Sequence, residues 1–188
     1  MFGKKKKSMD QEISEKPSEA LRILTTNIEQ YSGYKENEER RDSDIAFRTR
    51  LLSILRNTGD MMSQVHELLI HSQLLTSWGP AGLVMKKIGD LRKEASDTDY
   101  KYSTFFDAKD VEGEHGIDLS ILYILEIEIL DHLEEFKDKI SEVKTNLEEM
   151  MLDTVEDSIA NLMTLSNNLY NRFNERNELI RAFEKMSL

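Results

Sequence analysis

Apolar residues recur along this chain at helical rather than strand spacing. Leu21, Leu24, Ile28 and Tyr31 draw one stripe, which predicts a short helix over about 18–32, opened by Pro17 and Ser18 and ended by Gly33. A charged connector is expected over 33–42. A second stripe runs Ile45, Leu52, Leu55, Met62, Val65, Leu69 and Leu75, and predicts a helix from Ser43 or Asp44 to Ser77. Either of those two residues is a competent N-cap. Gly59 marks a kink point within it. Trp78-Gly79-Pro80 reads as a stop. Leu83, Val84, Ile88, Leu91, Tyr102 and Phe105 place a third helix at about 81–106, with a polar weak point at 96–99. Asp107 to Gly116 reads as a loop.

The longest signal follows. Residues 117–188 contain no glycine or proline, although the chain has eight glycines and two prolines. A heptad repeat passes through Leu122, Glu126, Ile129, Leu133, Phe136, Ile140, Val143, Leu147 and Met150 in alternating steps of four and three. It resumes at Val155, Ile159, Leu162, Leu169 and Phe173, then Ile180 and Phe183. The step from Met150 to Val155 is five, so the phase slips there. Asp153 and Glu156 flank the slip with the spacing of a capping box. Ile117–Leu130 is apolar at most positions and partly alternates, but the heptad grows out of it and favours helix. Its all-round apolar character predicts a place at a bundle centre or an interface.

Length bears on the slip. A helix of 72 residues would extend about 108 Å. A turn near 152–154 instead yields two helices of about 50 Å, matching the second helix. The fold expected is all-α: an antiparallel bundle of about four long helices plus a short N-terminal helix. The alternative is an elongated coiled coil with a continuous C-terminal helix. Residues 17–188 would form one helical domain behind a disordered basic tail, 1–16.

Composition narrows the function classes. The chain has 188 residues and no cysteine, so it can contain no disulfide, thiolate metal site or cysteine nucleophile. Its net charge of −11 disfavours binding to nucleic acid. Residues 126–157 concentrate that charge, with twelve acids against Lys137, Lys139 and Lys144. Residues 40–56 run the other way, with Arg40, Arg41, Arg48, Arg50 and Arg56 against Asp42 and Asp44. No apolar run is long enough to span a membrane. These features suit a cytoplasmic protein, with membrane contact limited to the tail. There, Phe2 beside Lys4, Lys5, Lys6 and Lys7 would give weak attraction to an anionic surface.

No phosphate-binding loop, nucleophile elbow, zinc-protease or calcium-loop motif is present, and no cofactor is predicted. Two Glu-x-x-x-His pairs, Glu67/His71 and Glu128/His132, each share a helix face. Together with Glu126 they form a candidate divalent-metal set, with His66 in reserve. The spacing is four, whereas bundle di-iron sites use three. The one spacing-three pair, Glu112/His115, falls in the loop. Glu126 stands on an apolar seam, where a carboxylate needs a raised pKa or a cationic partner. The Asn-rich last helix offers a buried asparagine to set register. The reading favoured by these features is a non-enzymatic interaction or scaffold protein. It would self-associate as a homo-oligomer, or bind a protein partner, through Leu122, Ile129, Leu133, Phe136, Ile140, Val143 and Leu147. A metal-binding protein or metal-dependent hydrolase, and a peripheral membrane protein, are the alternatives.

Overall fold

The computed structural model describes residues 19–97, 103–112 and 116–186. Six helices account for most of them: α1 (Glu19–Asn27), α2 (Asn37–His71), α3 (Leu75–Ser96), α4 (Ser103–Asp107), α5 (Leu119–Glu148) and α6 (Val155–Met186). The protein is an all-α bundle. Its four long helices form a ring in the order α2, α3, α6, α5, each packing on its two neighbours. α1 lies against α5, and α4 against α6 and α2.

Two antiparallel hairpins, α2/α3 and α5/α6, stand side by side. Across the hairpins the helices run parallel. Asp44 of α2 and Glu126 of α5 hold the same arginine, and further along both helices Arg50 lies 3.6 Å from Glu134. Likewise Arg48 reaches both Glu94 of α3 and Asn177 of α6, while Lys87 of α3 sits 4.4 Å from the centre of the Tyr170 ring. Both hairpin turns therefore share one end of the bundle, called here the hairpin end.

The seven apolar seam residues of α5 are 0–2% exposed within the single chain. In the single chain they pack against α2, α6 and α1, where the sequence expectation sets them against a second copy. The α6 seam is equally buried, through Val155, Ile159, Leu162, Ser166, Leu169, Phe173, Arg176, Ile180 and Phe183. Ile121 and Ile124 of α5 emerge about half exposed, so its apolar first turns are covered on one side only.

The heptad slip is the turn. α5 stops at Glu148, and Met150 adopts φ 58°. The Met151 N–H donates to the Asn146 carbonyl and the Met150 N–H to the Leu147 carbonyl. This is a left-handed helix ending of the kind glycine usually supplies, made here by methionine. Gln73, at φ 59°, ends α2 in the same way, with the Leu74 N–H donating to the Leu69 carbonyl.

Three boundaries depart from the sequence expectation. α2 begins at Asn37 rather than at Ser43 or Asp44, because both of those side chains serve other partners. The Ser43 hydroxyl accepts from the Ser32 and Gly33 N–H groups, and Asp44 is buried among arginines. α2 also ends at His71 rather than Ser77. Trp78-Gly79-Pro80 lies inside α3, where Pro80 forgoes one hydrogen bond in the second turn. Ala81, Val84, Ile88, Leu91 and Ala95 supply the buried face that holds this helix together. α2 runs through Gly59 without a break. The 81–106 helix is two pieces, α3 and α4, and residues 98–102 between them lie outside the described residues. So do the expected tail, 1–16, and with it Phe2 and Lys4 to Lys7. Among the described residues, no helix is long and apolar enough to cross a membrane.

Candidate functional site

At the end opposite the hairpin turns, a charged cluster is sealed into the core. Arg176 of α6 is fully buried, as is Glu126 of α5, and Asp44 of α2 is 1% exposed. The heptad geometry puts Arg176 and Glu126 on the inward seams of their helices. One Arg176 nitrogen lies 2.5 Å from Asp44 Oδ1 and 2.9 Å from Glu126 Oε1. The Tyr31 and Tyr34 hydroxyls donate to the two Glu126 oxygens at 2.5 and 2.6 Å. Arg48 binds the other Asp44 oxygen at 2.8 Å, and the Asn177 side-chain oxygen accepts from both Arg48 and Arg176. Two cations thus face two anions. The rings of Phe47 and Phe173 lie 4.9 Å from the Arg176 and 5.5 Å from the Arg48 guanidinium, closing the cluster from the sides.

A second arginine site braces the same end. The guanidinium of Arg40 donates to the carbonyls of Tyr34, Lys35, Phe105 and Ala108. It ties the start of α2 to the chain after α1 and to α4. The Tyr34 N–H donates to the Tyr123 hydroxyl at 3.0 Å.

Burial raises the pKa of Glu126, opposed by Arg176 and by the hydrogen bonds from Tyr31 and Tyr34. Burial works against the charge on Arg176, but Tyr34, Asp44 and Glu126 outweigh it and hold the guanidinium protonated. Burial and the Glu126 charge push the Tyr31 phenol well above its ordinary value, and burial does the same to Tyr34. The Tyr123 phenol is pushed up to about 12, mainly by burial. With every member nearly closed to solvent and bonded to another member, the cluster has no open face for a substrate. Its arrangement is that of a register lock between α2, α5 and α6.

The predicted metal set does not assemble. Glu126 is taken by Arg176 and two tyrosines. Glu128 lies 3.4 Å from Arg172 on the surface. His132 is half-buried, its Nδ1 enclosed without a hydrogen-bond partner. Glu67 and His71 sit at the hairpin end, roughly 25–35 Å along the bundle from His132 at about 1.5 Å per residue. His66 stacks on Trp78 with ring centroids 4.9 Å apart. His115 lies outside the described residues. Among the described residues no group of three or more His, Asp or Glu side chains converges as a metal site.

Sequence reasoning placed Glu126 on a seam and named its need for a cation, but missed Arg176, Arg48, Asp44, Tyr31 and Tyr34 as its surroundings, and Arg40 as the brace beside them. One signal was available. Ser166 and Arg176 complete the α6 heptad between Leu162 and Ile180, so an arginine stood on one seam as a glutamate stood on another.

The hairpin end is chemically different. Five of its apolar side chains face solvent: Leu75 at 70% exposure, Met150 at 66%, Met151 at 50%, Ile70 at 48% and Trp78 at 44%. Exposed carboxylates surround them: Glu67 on α2, Glu148 and Glu149 at the end of α5, and Asp153, Glu156 and Asp157 at the start of α6. The chain matches no protein-family model, no curated protein and no solved structure.

Proposed function

We propose that this is a non-enzymatic interaction protein whose hairpin end docks a basic, apolar segment of a partner protein. The observation that carries the reading is the concentration of exposed Ile70, Leu75, Trp78, Met150 and Met151 at one end of a bundle whose other large apolar side chains are mostly buried. Apolar side chains clustered at a surface favour contact with another apolar surface. Methionine adapts its shape, and tryptophan contributes large contact area. The acidic surround selects the partner's charge: lysines and arginines flanking an apolar centre fit it, and an anionic membrane surface is repelled. The rigid bundle behind the patch limits the ordering that binding must supply. The α5 seam, being internal, has no part in this interaction.

Trp78 is the chain's one tryptophan and reports on the patch directly. Titrating the protein with a model amphipathic peptide of lysine and leucine should blue-shift Trp78 emission with an affinity on the order of micromolar. Binding should weaken as salt rises. Leu75→Ser with Met151→Ser should abolish the shift, and a glutamate/leucine peptide of equal length should give none. If the double variant binds as tightly as the wild type, the hairpin end is not the docking surface.

A further inference from the structure

A local departure from the protein's acidic character lies between α2 and α3. A groove of about 460 Å³ is lined by Leu52, Arg56, Gly89, Arg92, Lys93 and Ser96. Three of the six are cations and none is a carboxylate. The chain carries 36 acids against 25 lysines and arginines, so an exposed cation has acids in excess around it. Several exposed cations elsewhere are neutralised along their own helices: Arg22 by Glu19, Lys86 by Asp90, Lys137 by Glu134, Lys139 by Glu142 and Arg181 by Glu178. Arg56, Arg92 and Lys93 have no ion-pair partner among the described residues, although Asp60 and Asp97 stand four residues after Arg56 and Lys93 at the spacing that pairs Lys86 with Asp90. Three like charges brought to one groove and left unpaired repel one another, and an anion seated among them would relieve that repulsion.

Gly89 gives the second observation. It lies in the middle of α3, where glycine weakens a helix relative to alanine. A Cβ added there would meet nothing within 4 Å, so packing within the protein does not require the glycine. Gly79 is equally free of neighbours, whereas an added Cβ at Gly59 or Gly82 would touch a neighbouring side chain. Gly89 lines the groove, so a larger residue there would project into it.

We propose that this groove binds a phosphomonoester carrying an apolar group. Two arginine forks and one ammonium suit the several oxygens of a phosphate dianion better than the single charge of a carboxylate. Leu52, packed on the core beneath, offers the apolar wall. The Ser96 hydroxyl donates to the Lys93 carbonyl and has no second proton for the anion, so the three cations carry its recognition. The site lies on the α2–α3 face and is independent of the hairpin end.

The test uses the full chain at low ionic strength, titrated with phenyl phosphate, inorganic phosphate and benzoate by calorimetry and phosphorus NMR. Phenyl phosphate should bind saturably at one site, more tightly than inorganic phosphate and at least tenfold more tightly than benzoate. Arg56→Gln with Arg92→Gln should weaken it at least tenfold. Gly89→Leu should abolish binding while leaving the helical circular dichroism intact, since the new side chain enters open space. Lys139→Gln, on α5, should leave affinity unchanged. Absence of saturable binding, equal affinity for benzoate, or wild-type affinity in either the arginine double variant or the Gly89→Leu variant would each overturn the assignment.

Discussion

At the scale of single residues, the protein's most consequential choice is to bury ions where apolar side chains would fill the space. Arg176, Glu126 and Asp44 lose their hydration, and only their mutual geometry offsets that cost. Replacing Arg176 by methionine leaves two carboxylates enclosed without their main cation. The expected loss is about 3–5 kcal/mol, measurable by urea denaturation. Titration gives a second prediction. Tyr31, Tyr34 and Tyr123 all have folded-state pKa values above the unfolded value of about 10. Their neutral phenols therefore support the fold fully below about pH 10, and that support is lost as pH rises through the folded values, beginning with Tyr123 near 12. Of the chain's six tyrosines, these three should ionise only together with loss of helical signal, read as tyrosinate absorbance at 295 nm. Ionisation of all six with the fold intact would contradict the burial of these three hydroxyls.

At the scale of elements, helix ends carry the information that helix interiors lack. Gly33 turns the chain from α1 toward α2 at φ 100°, and a Cβ there would stand 2.8 Å from Leu21 Cδ1 and 2.9 Å from the Tyr123 hydroxyl. Gly33→Ala should cost more than about 1 kcal/mol from backbone strain alone, with the clash adding to it. Met150 has the opposite sign: it holds a left-handed conformation that glycine would adopt freely. Met150→Gly should raise stability by up to about 1 kcal/mol, read as a higher melting temperature. Both effects were invisible to hydrophobic spacing. The heptad slip located the α5/α6 turn, but no glycine marked it, because methionine took the glycine position. Conversely Trp78-Gly79-Pro80 looked like an ending and was not one. The buried face from Ala81 to Ala95 outweighs one missing hydrogen bond.

At the scale of the whole molecule, the bundle consumes the surface that its sequence seemed to offer to a second copy. Leu133 is fully buried between helices of one chain. Leu133→Ala should therefore destabilise the fold by about 2–5 kcal/mol and leave the solution molar mass unchanged. A shift in molar mass without a loss of stability would instead restore the α5 seam as an interface. Spacing in the sequence was sufficient to indicate the all-α class, the apolar seams and the phase slip after Met150, because a 3.6-residue period needs no tertiary knowledge to be read; whether the slip was a turn or a kink was decided by the structure. Spacing also placed Glu126 on an apolar face. Only the tertiary structure decided which cation answers it, since Arg176 lies fifty residues away on another helix and meets it through the α5/α6 hairpin. The same holds for surface chemistry. Heptads state that a face is apolar but not whether its partner is the same chain or another. Exposure of Leu75, Trp78 and Met150 depends on how two hairpins align, which long-range packing and the buried ions set, and the meeting of Arg56 with Arg92 depends on how α3 folds back on α2.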